Sequence, residues 1–104
     1  MLKFSKCERW NQYQHIIHYQ PVEVERPNPD GTTTKTEEYA HTILVPEPTR
    51  AEVIAALIRK RYTANDELAL LRQRTTKKAE FNEYNDFAEA CKVLADQILA
   101  ALDE

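Results

Sequence analysis

The chain has 104 residues with a single glycine, 42% hydrophobic and 30% charged residues, and a net charge of −3 at pH 7. One glycine excludes the glycine-rich loops that bind nucleotide phosphates, because those loops need several glycines within a short stretch. No apolar run approaches the roughly eighteen residues that a membrane-spanning helix requires. The composition is typical of one globular domain, and we expect residues 1–104 to form it.

The N-terminal segment and the two cysteines bear on location. Lys3, Lys6 and Glu8 interrupt the first residues before the hydrophobic region of a signal peptide can form. Cys7 and Cys91 form no disulfide framework, and we expect two reduced thiols, although a bridge between them stays open. The sequence therefore predicts a cytoplasmic protein without membrane association.

Two runs with β-strand character occupy residues 1–46, which we expect to form a β-hairpin region. The first run, 13–25, combines aromatic and β-branched residues with period-two alternation near its end. The second run, 35–45, is predicted to place four side chains on one face: Tyr39, His41, Ile43 and Val45. Between the runs, a proline-rich segment ends in Asp-Gly, and Gly31 supplies the positive φ that a tight hairpin turn requires.

Residues 47–104 are predicted to form a helical region. Its first helix begins at Thr49, which forms a capping box with Glu52, and runs to about Arg61. A short second helix follows, capped by Thr63 or by Asn65.

The third helix is predicted to be long, from about Thr76 to about Leu102. Its apolar residues recur in alternating steps of three and four, the spacing of a heptad seam: Phe81, Tyr84, Ala88, Cys91, Ala95, Ile98 and Leu102. Such a helix is roughly 40 Å long, more than a small domain covers alone, so we expect the seam to need a partner. The predicted fold class is α+β, with an N-terminal β-hairpin followed by three helices, the last one long.

Charge is distributed unevenly along the chain. Residues 1–46 carry a net charge of −1, residues 47–78 carry +4 and residues 79–104 carry −6. A basic middle beside an acidic end indicates charge complementarity, either within the fold or between copies of it. The predicted partner-binding residues are three arginines of the basic part and one aromatic near the N-terminus: Trp10, Arg59, Arg61 and Arg72.

No constellation of residues points to catalysis, to a cofactor or to a metal. His15 and His18 fall on opposite faces of a strand, and no metal-ligand spacing accompanies them or His41. Cys91 falls in the heptad seam, where a buried thiol is expected, and Cys7 lies in a terminal segment. We therefore expect a protein that is not an enzyme, with no cofactor, no metal and no small-molecule substrate.

Segments between residues 48 and 95 carry a family resemblance: Pro48-Thr49-Arg50, Ala56-Leu57-Ile58-Arg59, Arg61-Tyr62-Thr63, Asp66 to Gln73, Tyr84-Asn85-Asp86-Phe87, Cys91-Lys92 and Leu94-Ala95. In these segments the chain resembles small proteins of Bacteroidetes genomes that are often encoded beside prophage-type genes. That family has no assigned chemistry, so the resemblance transfers no functional residue. It implies a bacterial protein associated with a prophage or a virion.

These observations predict a non-enzymatic protein–protein interaction or assembly module, of the kind that serves as a phage accessory protein. Its partner is another protein or a second copy of itself, and we expect a homo-oligomer. The alternative is a small nucleic-acid-associated regulator that uses the basic segment 59–78. The negative net charge disfavours nucleic acid as the partner, and the salt dependence of DNA binding distinguishes the two hypotheses.

Overall fold

The computed structural model of the protein describes residues 2–103. Within these residues, three antiparallel strands form one sheet in the spatial order β1-β2-β3. The strands are β1 (Ser5–Arg9), β2 (His15–Pro27) and β3 (Thr33–Val45). The predicted runs pair as the hairpin of β2 and β3, and β1 adds a strand that the sequence did not predict.

The helices follow the sheet in chain order: α1 (Arg50–Arg59), α2 (Ala64–Arg72) and α3 (Lys78–Leu102). The α+β class and the long last helix are therefore confirmed. α1 ends before the expected Arg61, and α3 begins after the expected Thr76. Differences of one or two residues are usual where helix ends fray.

Threonines begin the first two helices, as the sequence predicts. In α1, the Thr49 side chain accepts a hydrogen bond from the Glu52 amide at 3.4 Å. In α2 the cap is Thr63 and not Asn65, and Thr63 exchanges two hydrogen bonds of 3.1 Å with Asp66. This reciprocal capping box satisfies amides that have no partner within the helix.

β1 has a buried serine where a strand usually presents a large apolar side chain. The Ser5 hydroxyl donates to the carbonyl oxygen of Ile98 in α3 at 2.6 Å. Because this bond satisfies the buried hydroxyl, β1 packs on α3 despite its low hydrophobicity. The turn after β1 contains neither glycine nor proline. Instead, the Asn11 side chain stabilises it by accepting from the Tyr13 amide at 2.8 Å.

The core lies between one face of the sheet and the helices α1 and α3. The sheet and α1 contribute large aliphatic and aromatic side chains: Ile17, Tyr19, Ile43, Val45, Val53, Leu57 and Ile58. α3 contributes the middle of the predicted seam: Tyr84, Ala88, Cys91, Ala95 and Ile98. Because α1 and the sheet of the same chain cover this seam, its length does not require the partner expected from the sequence.

The hairpin becomes irregular at Gln20, whose φ of +60° lies in the left-handed region that disfavours residues other than glycine. The Tyr19 ring contacts His41 at 5.3 Å between centroids, whereas the His18 ring contacts Tyr39 at 5.9 Å. Tyr39 and His41 are two residues apart in β3, and the pairing of β2 with β3 keeps the same register on both sides of Gln20. The shared face of Tyr39 with His41, Ile43 and Val45 stays a prediction.

Beyond Gln20 the hairpin projects from the body as an arm, which we define as residues 21–39. The pairing of β1 with β2 ends at Tyr19, so the strands of the arm pair only with each other. No residue of the arm is buried. The molecule has extents of 60 × 33 × 23 Å and a radius of gyration of 17.4 Å, against about 13 Å for a compact chain of this length.

Gly31 lies in the turn at the tip of the arm, with a φ of +90° that confirms the predicted positive value. Its amide donates to the Asn28 carbonyl at 3.1 Å, and the Asp30 carboxylate accepts from the Thr32 amide at 3.0 Å. No atom lies within 4 Å of the position that a Cβ of residue 31 would take. A substitution at Gly31 therefore acts through the backbone and not through a clash.

Polar contacts connect α2, which has no buried residue, to both other helices. Glu67 accepts hydrogen bonds from Arg59 of α1, at 3.1 Å, and from the hydroxyl of Tyr84 in α3. Burial, followed by the bond to Glu67, raises the pKa of Tyr84 to about 12. The same hydrogen bond, followed by the contact with Arg59, lowers the pKa of Glu67 below its ordinary value. The folded state therefore favours a protonated Tyr84 beside an ionised Glu67.

Gly31→Val should loosen the arm and leave the helices folded. A side chain in the left-handed region costs about 1–2 kcal/mol, and the arm contributes no residue to the buried core. Amide hydrogen exchange should become faster across residues 22–38 while the helical circular dichroism is unchanged. Gly31→Asn is the matched control, because asparagine tolerates this region. Loss of the helical signal in Gly31→Val would show that the arm belongs to the core.

Because burial and the hydrogen bond to Glu67 raise the pKa of Tyr84, we expect the protein to lose stability at alkaline pH. The unfolded phenol has its ordinary pKa of 10.0 and the folded one about 12, so the stabilisation is complete below pH 10.0 and is lost as pH rises through about 12. Tyr84→Phe should remove the last step of the tyrosinate absorbance titration and lower the free energy of unfolding at neutral pH by about 1 kcal/mol. Tyr13→Phe, in the exposed turn, is the control that keeps this step. An unchanged titration curve in Tyr84→Phe would contradict the assignment.

Candidate functional site

The arm carries an excess of acidic side chains, with five acidic and two basic residues. The register places Glu23 directly opposite Glu37, and like charges facing each other across two strands are destabilising. Lys35 offsets part of this repulsion, since its Nζ lies 3.7 Å from the carboxylates of both Glu23 and Glu25. We call Glu23, Glu25, Lys35 and Glu37 the acidic face. Its uncompensated charge favours contact with a cationic surface.

The arm also has open strand edges. Among the described residues, β3 has no neighbour other than β2, and β2 has no second neighbour over residues 21–27. Open edges are able to pair with another strand. Pro21 and Pro27 lack an amide proton, however, and the strands between them and opposite them carry charged side chains. The acidic face is therefore better suited to a specific contact than the edges are.

Three cations between the end of α2 and the start of α3 have no acidic partner within residues 2–103. They are Arg72, Arg74 and Lys78, and we call them the basic patch. α3 begins beside them at Lys78, and its N-cap residue, Lys77, makes no side-chain capping bond. The positive end of the helix dipole thus adds to the charge of the patch. An acidic surface placed here would give these cations an acidic partner.

Two of the predicted partner-binding arginines are engaged within the chain. Arg59 forms an ion pair with Glu67 at 3.1 Å. Arg61 pairs with Glu83 and also lies over two aromatic rings, 5.2 Å from each centroid. Of the three arginines, only Arg72 has no acidic partner in the described part of the chain. The sequence pattern pointed to Arg72 but not to Arg74 and Lys78, which lie beside it where α2 ends and α3 begins.

Trp10 lies in the turn between β1 and β2, where 58% of its surface is exposed. Tyr13 in the same turn is 76% exposed. Such aromatic side chains are well suited to protein contacts. The turn and the three arginines belong to different elements, however, and the structure does not join Trp10 with Arg72 in a single site.

The residues considered for metal binding and nucleophilic chemistry are dispersed. Within residues 2–103, no group of three or more His, Cys, Asp or Glu side chains is placed to hold a metal ion. Cys91 and His41 line the same cleft, but burial raises the pKa of the Cys91 thiol. Burial, followed by the charge of Glu8, also raises the pKa of Cys7. Both thiols are therefore poor sources of the thiolate that nucleophilic chemistry needs.

The acidic face and the basic patch carry charges of opposite sign. In the described part of the chain, no helix has the length and apolarity to cross a membrane.

No family model, curated protein or solved structure matches the chain.

Proposed function

We propose that this protein is a non-enzymatic interaction and assembly module whose arm docks on a second copy of the chain. The observation that carries the proposal is the arm, whose strands pair only with each other and bury no residue. A two-stranded hairpin by itself is marginally stable in water. The arm is therefore more stable when it packs against another surface.

Charge complementarity supports a second copy as that surface. The acidic face places Glu23 opposite Glu37, and only Lys35 offsets them within the arm. The basic patch offers three cations and the positive end of α3. Docking the acidic face of one copy on the basic patch of another offsets the repulsion between Glu23 and Glu37 and gives the cations of the patch acidic partners.

Reciprocal docking gives a closed pair. If each of two copies places its arm on the patch of the other, the contact has two-fold symmetry and no free arm or patch remains. This is the homo-oligomer that the sequence favours. The resemblance of residues 48–95 supports the wider proposal of a phage-type accessory protein, in the bacterial cytoplasm or associated with a virion.

Light scattering after size exclusion tests the proposal through charge reversal. The wild type should form dimers at tens of micromolar, and the association should weaken as salt is added. Glu23→Lys with Glu37→Lys should weaken dimerisation about tenfold or more, because the arm then repels the patch. Arg72→Glu with Arg74→Glu should do the same.

Combining all four reversals in one chain should restore the dimer, since the two surfaces again have opposite charges. Glu47→Lys with Glu52→Lys is the matched control: it makes the same charge change at exposed residues outside the arm and should leave dimerisation intact. A wild type that stays monomeric at tens of micromolar would overturn the proposal. So would a dimer that none of the reversals weakens.

The basic patch also supports the alternative of a nucleic-acid-associated regulator. Cations beside a helix N-terminus are a common arrangement for binding phosphate. Retardation of DNA that falls steeply between about 50 and about 200 mM salt would favour this alternative. Its loss in Arg72→Glu with Arg74→Glu, together with a monomeric wild type, would make nucleic acid the partner in place of a second copy.

A further inference from the structure

A cleft of about 310 Å³ lies where β2 and β3 leave the body, beside the end of α1 and the middle of α3. This volume is near the lower end of the range of small-ligand pockets, roughly 300–1,000 Å³. The residues that line the cleft come from four separate elements and from the turn after α1, so no local sequence motif marks it. The cleft is distinct from the acidic face and from the basic patch.

The floor of the cleft is apolar. Leu57 and Cys91 are buried in it, and Phe87 and Leu94 are partly buried beside them. Small-ligand sites are mostly apolar with a few polar groups that fix the orientation of the ligand. This floor fits a short aliphatic or aromatic body.

The charged groups that line the cleft are all basic in kind. They are Lys60 and Arg61, and no carboxylate is among the lining residues. The chain as a whole has a net charge of −3, so the charge of the cleft is opposite in sign to the net charge of the chain. An anionic group on the ligand is therefore favoured over a cationic one.

The ammonium group of Lys60 is the cation that is available to a ligand. Its Nζ lies 5.4 Å from the centroid of the Tyr19 ring, which holds the ammonium group at the rim by a cation–π contact. Lys60 has no carboxylate partner within residues 2–103, whereas Arg61 is paired with Glu83. One available ammonium group compensates the single charge of a carboxylate, whereas a phosphate monoester carries close to two negative charges.

The backbone gives a second, independent indication at the same place. Gln20 lines the cleft and has a φ of +60°, a strained value for a residue other than glycine. Strained residues of this kind cluster at ligand sites, where the surrounding structure holds them in position. Gln20 is held here by its amide, which donates to the carbonyl of Phe4 at 3.0 Å.

We propose that this cleft binds a small monocarboxylate with an apolar body. The carboxylate accepts hydrogen bonds from the Lys60 ammonium group at the rim. The body packs on Leu57, Phe87 and Leu94. Binding is non-covalent, and it does not depend on the contact between the arm and a second copy.

Titration with octanoate, followed by the amide chemical shifts of the full chain, tests the proposal. Octanoate should produce saturable shifts in residues 57–61 and 87–94. Octylammonium has a similar body with the opposite charge, and acetate has the charge without the body. Neither should produce saturable shifts there.

Lys60→Gln should weaken octanoate binding about tenfold, the loss expected for one charge-assisted hydrogen bond. Lys60 is exposed, so the variant should keep the wild-type spectrum outside the cleft. Lys78→Gln removes the same charge from the basic patch and should bind octanoate as the wild type does. The proposal is overturned if octanoate gives no saturable shifts, if octylammonium binds equally well, or if Lys60→Gln binds like Lys78→Gln.

Discussion

The packing of α3 against α1 and the sheet is the constraint on which the rest of the structure depends. The middle of the α3 seam consists of small residues, Ala88, Cys91 and Ala95, all of them buried. Small side chains allow neighbouring elements to approach a helix closely. α1 and the sheet therefore cover the seam within one chain, and Ser5 of β1 adds its hydrogen bond to Ile98. The seam is thus not available to a partner, and the arm becomes the part of the molecule best placed to make contacts.

Local signals made much of this fold predictable. Thr49 and Thr63 cap helices through bonds to residues three positions away, and Gly31 supplies its own positive φ. Features that depend on long-range contacts were harder to predict from the sequence. β1 pairs with β2 and joins α3 through the hydrogen bond of Ser5, and a serine carries no hydrophobic signal. The left-handed backbone of Gln20 is likewise indicated by no residue pattern in the chain.

The same distinction applies to the candidate sites. Arg59 and Arg61 stand out in the sequence as basic residues, but Glu67 and Glu83 reach them from other helices. The sequence shows glutamates in both strands of the arm, yet only the register places two of them face to face. The cleft at Lys60 is assembled from separate elements, so its residues carry no common spacing. The sequence therefore shows which residues are charged, but not which of them pair in the fold.

The central claim is that the arm is the contact surface and the α3 seam is not. Amide hydrogen exchange of the wild type at low and high protein concentration tests this claim most directly. We predict slower exchange at high concentration in residues 21–39 and 72–78, with no change in residues 88–98 of the buried seam. Slower exchange confined to the seam, or to the turn that contains Trp10, would contradict the claim.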